Sequence, residues 1–396
     1  MNEAGAPSGV PGAGCVYGLA VVRRPPRGRL ALVCVVKRSY ELRPGRLALA
    51  DEQALLVGEH ARGRVRADGS AVLVDDTDIT APKIATDVVL FGTAYVGAPG
   101  ASVREGFVAL AVGEMAKRLR VSGERRARVT QEGRVRFSGA EPFESAPLDW
   151  SLAYGGYDAH AHAALDPGPE DGGAPGQHLN VAPYAYPRNE DGLGYFIDID
   201  RARADGAPLP RIEDPADELT PERFFSPRPQ DWADQPIAAG LGWVDLGSFP
   251  RAARLLGRMF PPLTPGRPLR ECTFRDGEDL AGVLSLPDGE IHPRALQGAT
   301  AGLACERLRG DERVILQNVH REWRELQFNL PGEAPRLSIR PAGLKALTPL
   351  PVLQTVRIEP DAGRVSLVWC AALPLMAQPD EEFVMETQAA ITWARV

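Results

Sequence analysis

From Leu30 to Leu42 the chain reads LALVCVVKRSYEL. Seven apolar residues in a row, rich in β-branched side chains and followed by an aromatic, fit a pleated strand better than a helix. Pro44-Gly45 follows, before the apolar alternation of Leu47 and Leu49, so turn chemistry predicts a hairpin. The same grammar recurs along the chain. Ile84 to Val96 carries Val88, Val89, Leu90, Phe91 and Tyr95, which predicts a strand buried on both faces and lying centrally. Beyond a turn at Gly97 to Gly100, Phe107 to Val112 and Leu119 to Val121 read as two arms of a hairpin near Gly113, and Arg134 to Phe137 adds a short strand. Val314 to Leu316, Leu326 to Leu330 and Leu337 to Ile339 are strand-like, and Val352 to Ile358 pairs with Val365 to Ala371 across Asp361-Ala362-Gly363. Arg251 to Phe260 is the best short amphipathic helix, stopped by Pro261-Pro262. Phe383 to Val396 is open between a helix and a last strand.

The chain holds 41 Gly and 36 Pro among 396 residues, about 19% against roughly 12% in average proteins. Proline lacks an amide hydrogen and fixes φ, so long helices are excluded. The expected fold is mainly β, with a few short helices: antiparallel sheets or a sandwich-like body carrying a long irregular middle tract. Residues 1–14 read as a flexible leader, 15–157 as an N-terminal β-rich part, 158–250 as an irregular Pro/Gly-rich tract and 251–396 as a C-terminal β-rich part. Residues 15–396 are also compatible with one compact unit.

With 52 acidic and 45 basic side chains the net charge is −7, a field that repels phosphate backbones, so no nucleic-acid partner is expected. The Arg23-Arg24, Arg27 and Arg29 cluster and the Arg118 to Arg128 cluster are broken by Pro, Gly, Glu and apolar residues, and read as solvated strand edges and turns. Cys15, Cys34, Cys272, Cys305 and Cys370 are scattered without a C-x-x-C pair, which predicts reduced, partly buried thiols. Residues 1–14 lack a basic start and an apolar run, and no stretch approaches the roughly 18 apolar residues that span a membrane. A soluble, cytoplasmic protein without membrane insertion is the expectation.

Catalysis leaves spacings that can be tested, and no P-loop, dinucleotide fingerprint, H-E-x-x-H or G-x-S-x-G elbow is present. In an extended segment Asp158, His160 and His162 would present an oxygen and two imidazoles on one side. No third strong ligand is fixed nearby, and His178 would approach only if the loop folded back, so the histidines read as incidental. Asp75-Asp76-Thr77-Asp78 lacks the Gly and distal Glu of a calcium loop and reads as an acidic turn. His292 and His320 have no nucleophile that the sequence identifies. No catalytic residue, metal site or cofactor is assigned. Of the tryptophans, Trp369 lies in a strand and reads as core, whereas Trp232 and Trp243 stand open between core packing and a partner surface.

One block stands apart: Pro142 to Asp158, PFESAPLDWSLAYGGYD. Aromatics beside a double glycine point to backbone packed tightly against rings, so Trp150, Tyr154, Gly155, Gly156, Trp232 and Trp243 are candidate partner-binding or shape-determining residues. Here the chain resembles a bacterial family catalogued as a domain of unknown function and found as type VI secretion accessory proteins. The resemblance runs in order from Val36-Lys37-Arg38-Ser39-Tyr40 through Pro82-Lys83, Thr86 to Leu90, Gly92 and Ala94. It continues with Val112-Gly113, Lys117 to Gly123, Trp150 to Gly156 and Leu209 to Pro215, then Ala239 to Gly242, Leu326 to Glu333 and Leu367-Val368-Trp369. Order and spacing carry it. Ser151 stands where the family commonly has Glu, Glu190 where Pro is usual, and Arg211 where Asn is typical, and no Trp follows Gly123-Glu124-Arg125.

The resemblance implies a non-enzymatic adaptor or chaperone that binds a secretion effector protein and a spike or PAAR-like tip protein in the bacterial cytoplasm. Two alternatives are a structural spike-associated component and an enzyme whose site is assembled from distant residues.

Overall fold

The structure is a computed structural model describing residues 8–9, 14–24, 29–57, 61–65, 71–75, 77–165, 184–186, 189–228, 231, 234–243, 296–300 and 302–396. The expected helix at Arg251 to Phe260 lies outside the described residues, as do Trp232, Cys272, His178, His292 and most of the leader. The principal strands are β1 (Val16–Arg24), β2 (Arg29–Glu41), β3 (Thr86–Leu90), β4 (Glu105–Val112), β5 (Met115–Ser122) and β6 (Ile212–Glu213). They continue with β7 (Arg313–Gln317), β8 (Glu325–Asn329), β9 (Glu333–Arg340), β10 (Val352–Glu359), β11 (Arg364–Pro374) and β12 (Gln388–Arg395). Two α-helices lie among the described residues, α1 (Ala159–Leu165) and α2 (Glu381–Glu386).

The architecture is β-rich and mostly antiparallel. One sheet runs Ser8–Gly9, β1, β2, β11, β10, β3, Ala304–Cys305, with Ala48–Leu49 beside the end of β2. The other runs β6, β5, β4, β7, β8, Gly45–Arg46. The two share one core: Leu32, Cys34, Val36, Leu90, Ile358 and Leu367 of the first meet Val108, Leu110, Leu119, Leu316 and Phe328 of the second. Alternation along β4 explains its side, since Val108, Leu110 and Val112 are buried and the residues between them are not.

β2 is apolar on both faces because both are covered. Leu32, Cys34 and Val36 enter the shared core, and Val33 and Val35 pack with Leu56, Val368 and Cys370 behind the sheet. The hairpin expected after β2 exists as Tyr40↔Leu49 and Glu41↔Ala48. Its turn does more: Gly45-Arg46 crosses to the second sheet and pairs in parallel with Phe328 and Asn329.

The central position expected for β3 is corrected. It is next to the end of its sheet, parallel to β10. It reads as central because its outer side is sealed: the amides of Val88 and Leu90 donate to the carbonyls of Leu303 (2.9 Å) and Leu241 (2.7 Å). The ambiguous ending is both things at once, α2 capped by Asp380 and then β12 paired along β9.

The irregular tract holds a core of its own. Tyr154, Tyr184, Tyr186, Tyr195, Ile197, Leu209, Leu219 and Phe224 are buried together with Ala127, and Val129, Val135 and Phe137 pack against them. This core draws on residues either side of 158. The tract joins the second sheet through β6, where Ile212 pairs with Val121 and Glu213 with Arg120.

Candidate functional site

The Trp150 to Gly156 block lies where the tract meets the sandwich. Asp149 caps a 3-10 turn over Trp150–Leu152 by accepting from the Ser151 amide (2.8 Å). That turn lays the Trp150 ring on Gly240, where a Cβ would come within 3.1 Å of Cζ2. The Trp150 indole donates to the Trp243 carbonyl at 2.6 Å. Two blocks far apart in sequence therefore meet, ring against glycine.

The double glycine answers a close backbone approach. Gly155 and Gly156 have φ of 153° and 120°, a region other residues rarely adopt. A Cβ on Gly155 would lie 2.1 Å from the Asn189 carbonyl oxygen. Asn189, buried, ties the turn from the other side: its Nδ2 donates to the carbonyls of Trp150 (2.8 Å) and Tyr154 (3.1 Å), and its carbonyl accepts from the Gly156 amide (2.9 Å).

Tyr154 is a core residue, 1% exposed. Its ring stands edge-on to Tyr186 at 5.0 Å, and its hydroxyl donates to Gln235 Oε1 (3.0 Å). Trp243 is buried too; its indole donates to Asp75 Oδ1 (2.8 Å) and Lys83 Nζ lies 5.1 Å from its ring centre. Of the named candidates, Trp150, Tyr154, Gly155, Gly156 and Trp243 all make close packing or hydrogen-bond contacts within the chain.

Asp158 and the two histidines do not share a side. The segment after Asp158 is helical, and two residues of helix turn His160 and His162 about 200° apart. Asp158 accepts from the amides of Ala161 (2.9 Å) and Ile197 (2.9 Å) and from both terminal nitrogens of Arg203. Burial pushes its carboxyl up, but Arg203 and the two amides outweigh it and hold the group below the usual carboxylate range. His162 stacks on Tyr184 at 4.9 Å and its Nδ1 meets the Tyr157 hydroxyl. Among the described residues no group of three His, Cys, Asp or Glu is placed to hold a metal.

Asp75 and Asp78 of the acidic turn are paired as well. Asp75 also accepts from Arg357 (2.5 Å), and Asp78 pairs with buried Lys37 (2.9 Å). The expectation that the Arg118 to Arg128 cluster is solvated is corrected in part. Arg120 and Arg125 both bind the buried Glu213 carboxylate, which also accepts from the Leu219 amide (3.0 Å). Cys15, Cys34, Cys305 and Cys370 are buried thiols without disulfides; burial pushes Cys34 and Cys305 up to about 12.

Sequence reading assigned no role to the residues that anchor this region: Asn189, Arg203, Glu213 and Gln235, and the fully buried pair Lys83–Asp87 (2.5 Å). Asp87 further accepts from Gln297 Nε2 (2.7 Å) and the Gly298 amide (2.9 Å), and Lys83 donates to Thr355 (3.0 Å). A lysine just before the strand and an aspartate four residues later inside it were the available signal. Beside the tract, a cleft of about 460 Å³ opens among Lys117, Arg118, Asp214, Asp217, Ile237 and Ala239.

The described residues form a β-rich, mostly antiparallel fold with three buried clusters, and the junction lies between the first and the second of them. The chain belongs to the DUF2169 family, described as uncharacterized proteins conserved in bacteria, which it matches over residues 27–370. No curated protein and no solved structure matches it. No helix among the described residues is long and apolar enough to cross a membrane.

Proposed function

We propose that the protein is a non-enzymatic adaptor that holds a type VI secretion effector in the bacterial cytoplasm and helps to load it onto the spike or a PAAR-like tip. The observation that carries this reading is the way the irregular tract is held. Asp158, Asn189, Glu213 and Gln235 turn inward and fasten backbone or neighbouring side chains, so the described loops of the tract are braced by the chain's own hydrogen bonds. Ordering loops on binding costs free energy, and a preformed loop surface avoids most of that cost. An adaptor needs such a surface; the resemblance along the chain supplies the partner class.

The test is co-elution of the purified full chain with candidate toxin-like and spike proteins from the same bacterium. A stable complex with the toxin-like protein is expected. Separate elution from both partners would overturn the adaptor reading.

A further inference from the structure

An uncovered strand edge is a row of amides and carbonyls that an extended peptide can complete. β5 presents such an edge over part of its length. It runs from Met115 to Ser122, and β4 pairs with all of it on one side. On the other side β6 meets only Arg120 and Val121, and the Arg211 carbonyl accepts from the Ser122 amide (2.8 Å). That bond fixes the sense of the alternation: Ser122, Arg120, Arg118 and Ala116 turn their backbone groups away from β4. Beyond Glu213 the chain leaves β5 through a turn in which the Asp217 amide donates to the Asp214 carbonyl (3.0 Å). No described residue pairs with the outward backbone groups of Arg118 or Ala116, and both residues are exposed.

The cleft of about 460 Å³ lies along this open stretch, with Ala116 to Arg118 on one side and Asp214 to Asp217 and Ile237 to Ala239 around it. Two observations say what fits. β6 is itself an extended segment seated antiparallel on the same edge, so the open stretch continues an interface already made. Charge supplies the chemistry. Asp217 is paired with Arg223 (2.7 Å) and accepts from the Ile237 amide (2.8 Å), and Asp214 accepts from the Ala216 amide (2.9 Å). Arg118 makes no ion pair with a described residue. Its guanidinium lies 3.6 Å from the ring centre of Phe107 in β4, back across the sheet, which leaves the edge itself uncovered.

We propose that this edge binds an extended segment of a partner protein, antiparallel to β5, with an acidic residue opposite Arg118. Directly opposed residues of an antiparallel pair share a face, so the carboxylate stands on the same face of the sheet as the guanidinium. The residues before and after it turn to the inner face, where Leu119, Ile212 and Ala239 are buried together, and apolar side chains suit those positions. The inference is independent of the adaptor reading, since it concerns the segment and not the protein that carries it.

Selection of a random linear peptide library, displayed on phage, against the full chain tests it. Enriched peptides should carry Asp or Glu between apolar residues. Arg118→Glu should weaken their synthetic copies about tenfold by fluorescence anisotropy, and Lys in place of the peptide's acid should recover binding to that variant. Arg128→Glu, an exposed change outside the cleft, should leave binding unaltered. Hydrogen exchange gives the location: the amides of Ala116 and Arg118 should exchange fast in the unliganded chain and slowly with peptide bound. Slow exchange of both amides without peptide would mean that the edge is already paired, and would overturn the inference. So would a library without enriched binders, binding indifferent to Arg118→Glu, or protection confined to another strand.

Discussion

At Gly155 the constraint is steric and can be tested by a single methyl group. Gly155→Ala places Cβ against the Asn189 carbonyl in a backbone region that side chains avoid, and should cost about 2–4 kcal/mol. Gly100→Ala, at φ 74° with nothing within 4 Å, isolates the backbone term and should cost about 1 kcal/mol. Urea denaturation compares them; equal losses would remove the close approach as the cause. His320 offers a pH readout. Burial lowers its pKa from the ordinary 6.5, against the opposing pull of Glu322 and Asp361, and its Nδ1 accepts from the Glu322 amide (3.1 Å). The unfolded chain therefore binds the proton more readily, so this contribution to stability is whole above pH 6.5 and falls as pH drops toward the lowered native midpoint. An NMR titration should place the midpoint below 6.5, and His320→Gln should flatten the stability slope in that window; a midpoint at or above 6.5 would contradict the burial.

Among elements, the hairpins β4–β5 and β10–β11 were legible because their turns are local: Gly113 and Gly363 adopt φ of 57° and 60° between apolar arms. The pairing of β2 with β11 was not, because nothing in either strand names a partner so distant. The tract core was hidden for another reason. Tyr184, Tyr186, Tyr195 and Phe224 are scattered singly or in pairs among Gly, Pro and Asp, so no periodicity reveals that they converge. Within the candidate site the double glycine announced a shape constraint, while Asn189, which closes it, looked like any loop residue. The Lys83–Asp87 pair that ties β3 to Gln297, Gly298 and Thr355 gives this scale its prediction. Lys83→Met leaves a buried carboxylate without its cation and should cost about 3–5 kcal/mol. Adding Asp87→Asn removes the stranded charge, keeps an acceptor, and should recover part of that loss in denaturant midpoint. A single variant within about 0.5 kcal/mol of the parent would mean the pair is dispensable.

For the whole molecule, the family blocks quoted from the sequence converge on packing: Trp150 on Gly240, Leu241 on β3, Glu213 beneath Arg120 and Arg125. The second, ring-rich core is joined to one sheet through β6. The order of the first sheet has a consequence for biosynthesis. β2 is made early, yet its neighbour across the register Ala31↔Pro374 to Glu41↔Arg364 is made late. During translation, most of the chain therefore leaves the ribosome while its most apolar strand has one edge bare. A topology so dominated by distant pairings favours slow folding, and residues 29–41 are the apolar segment left open to non-native pairing until β11 is made.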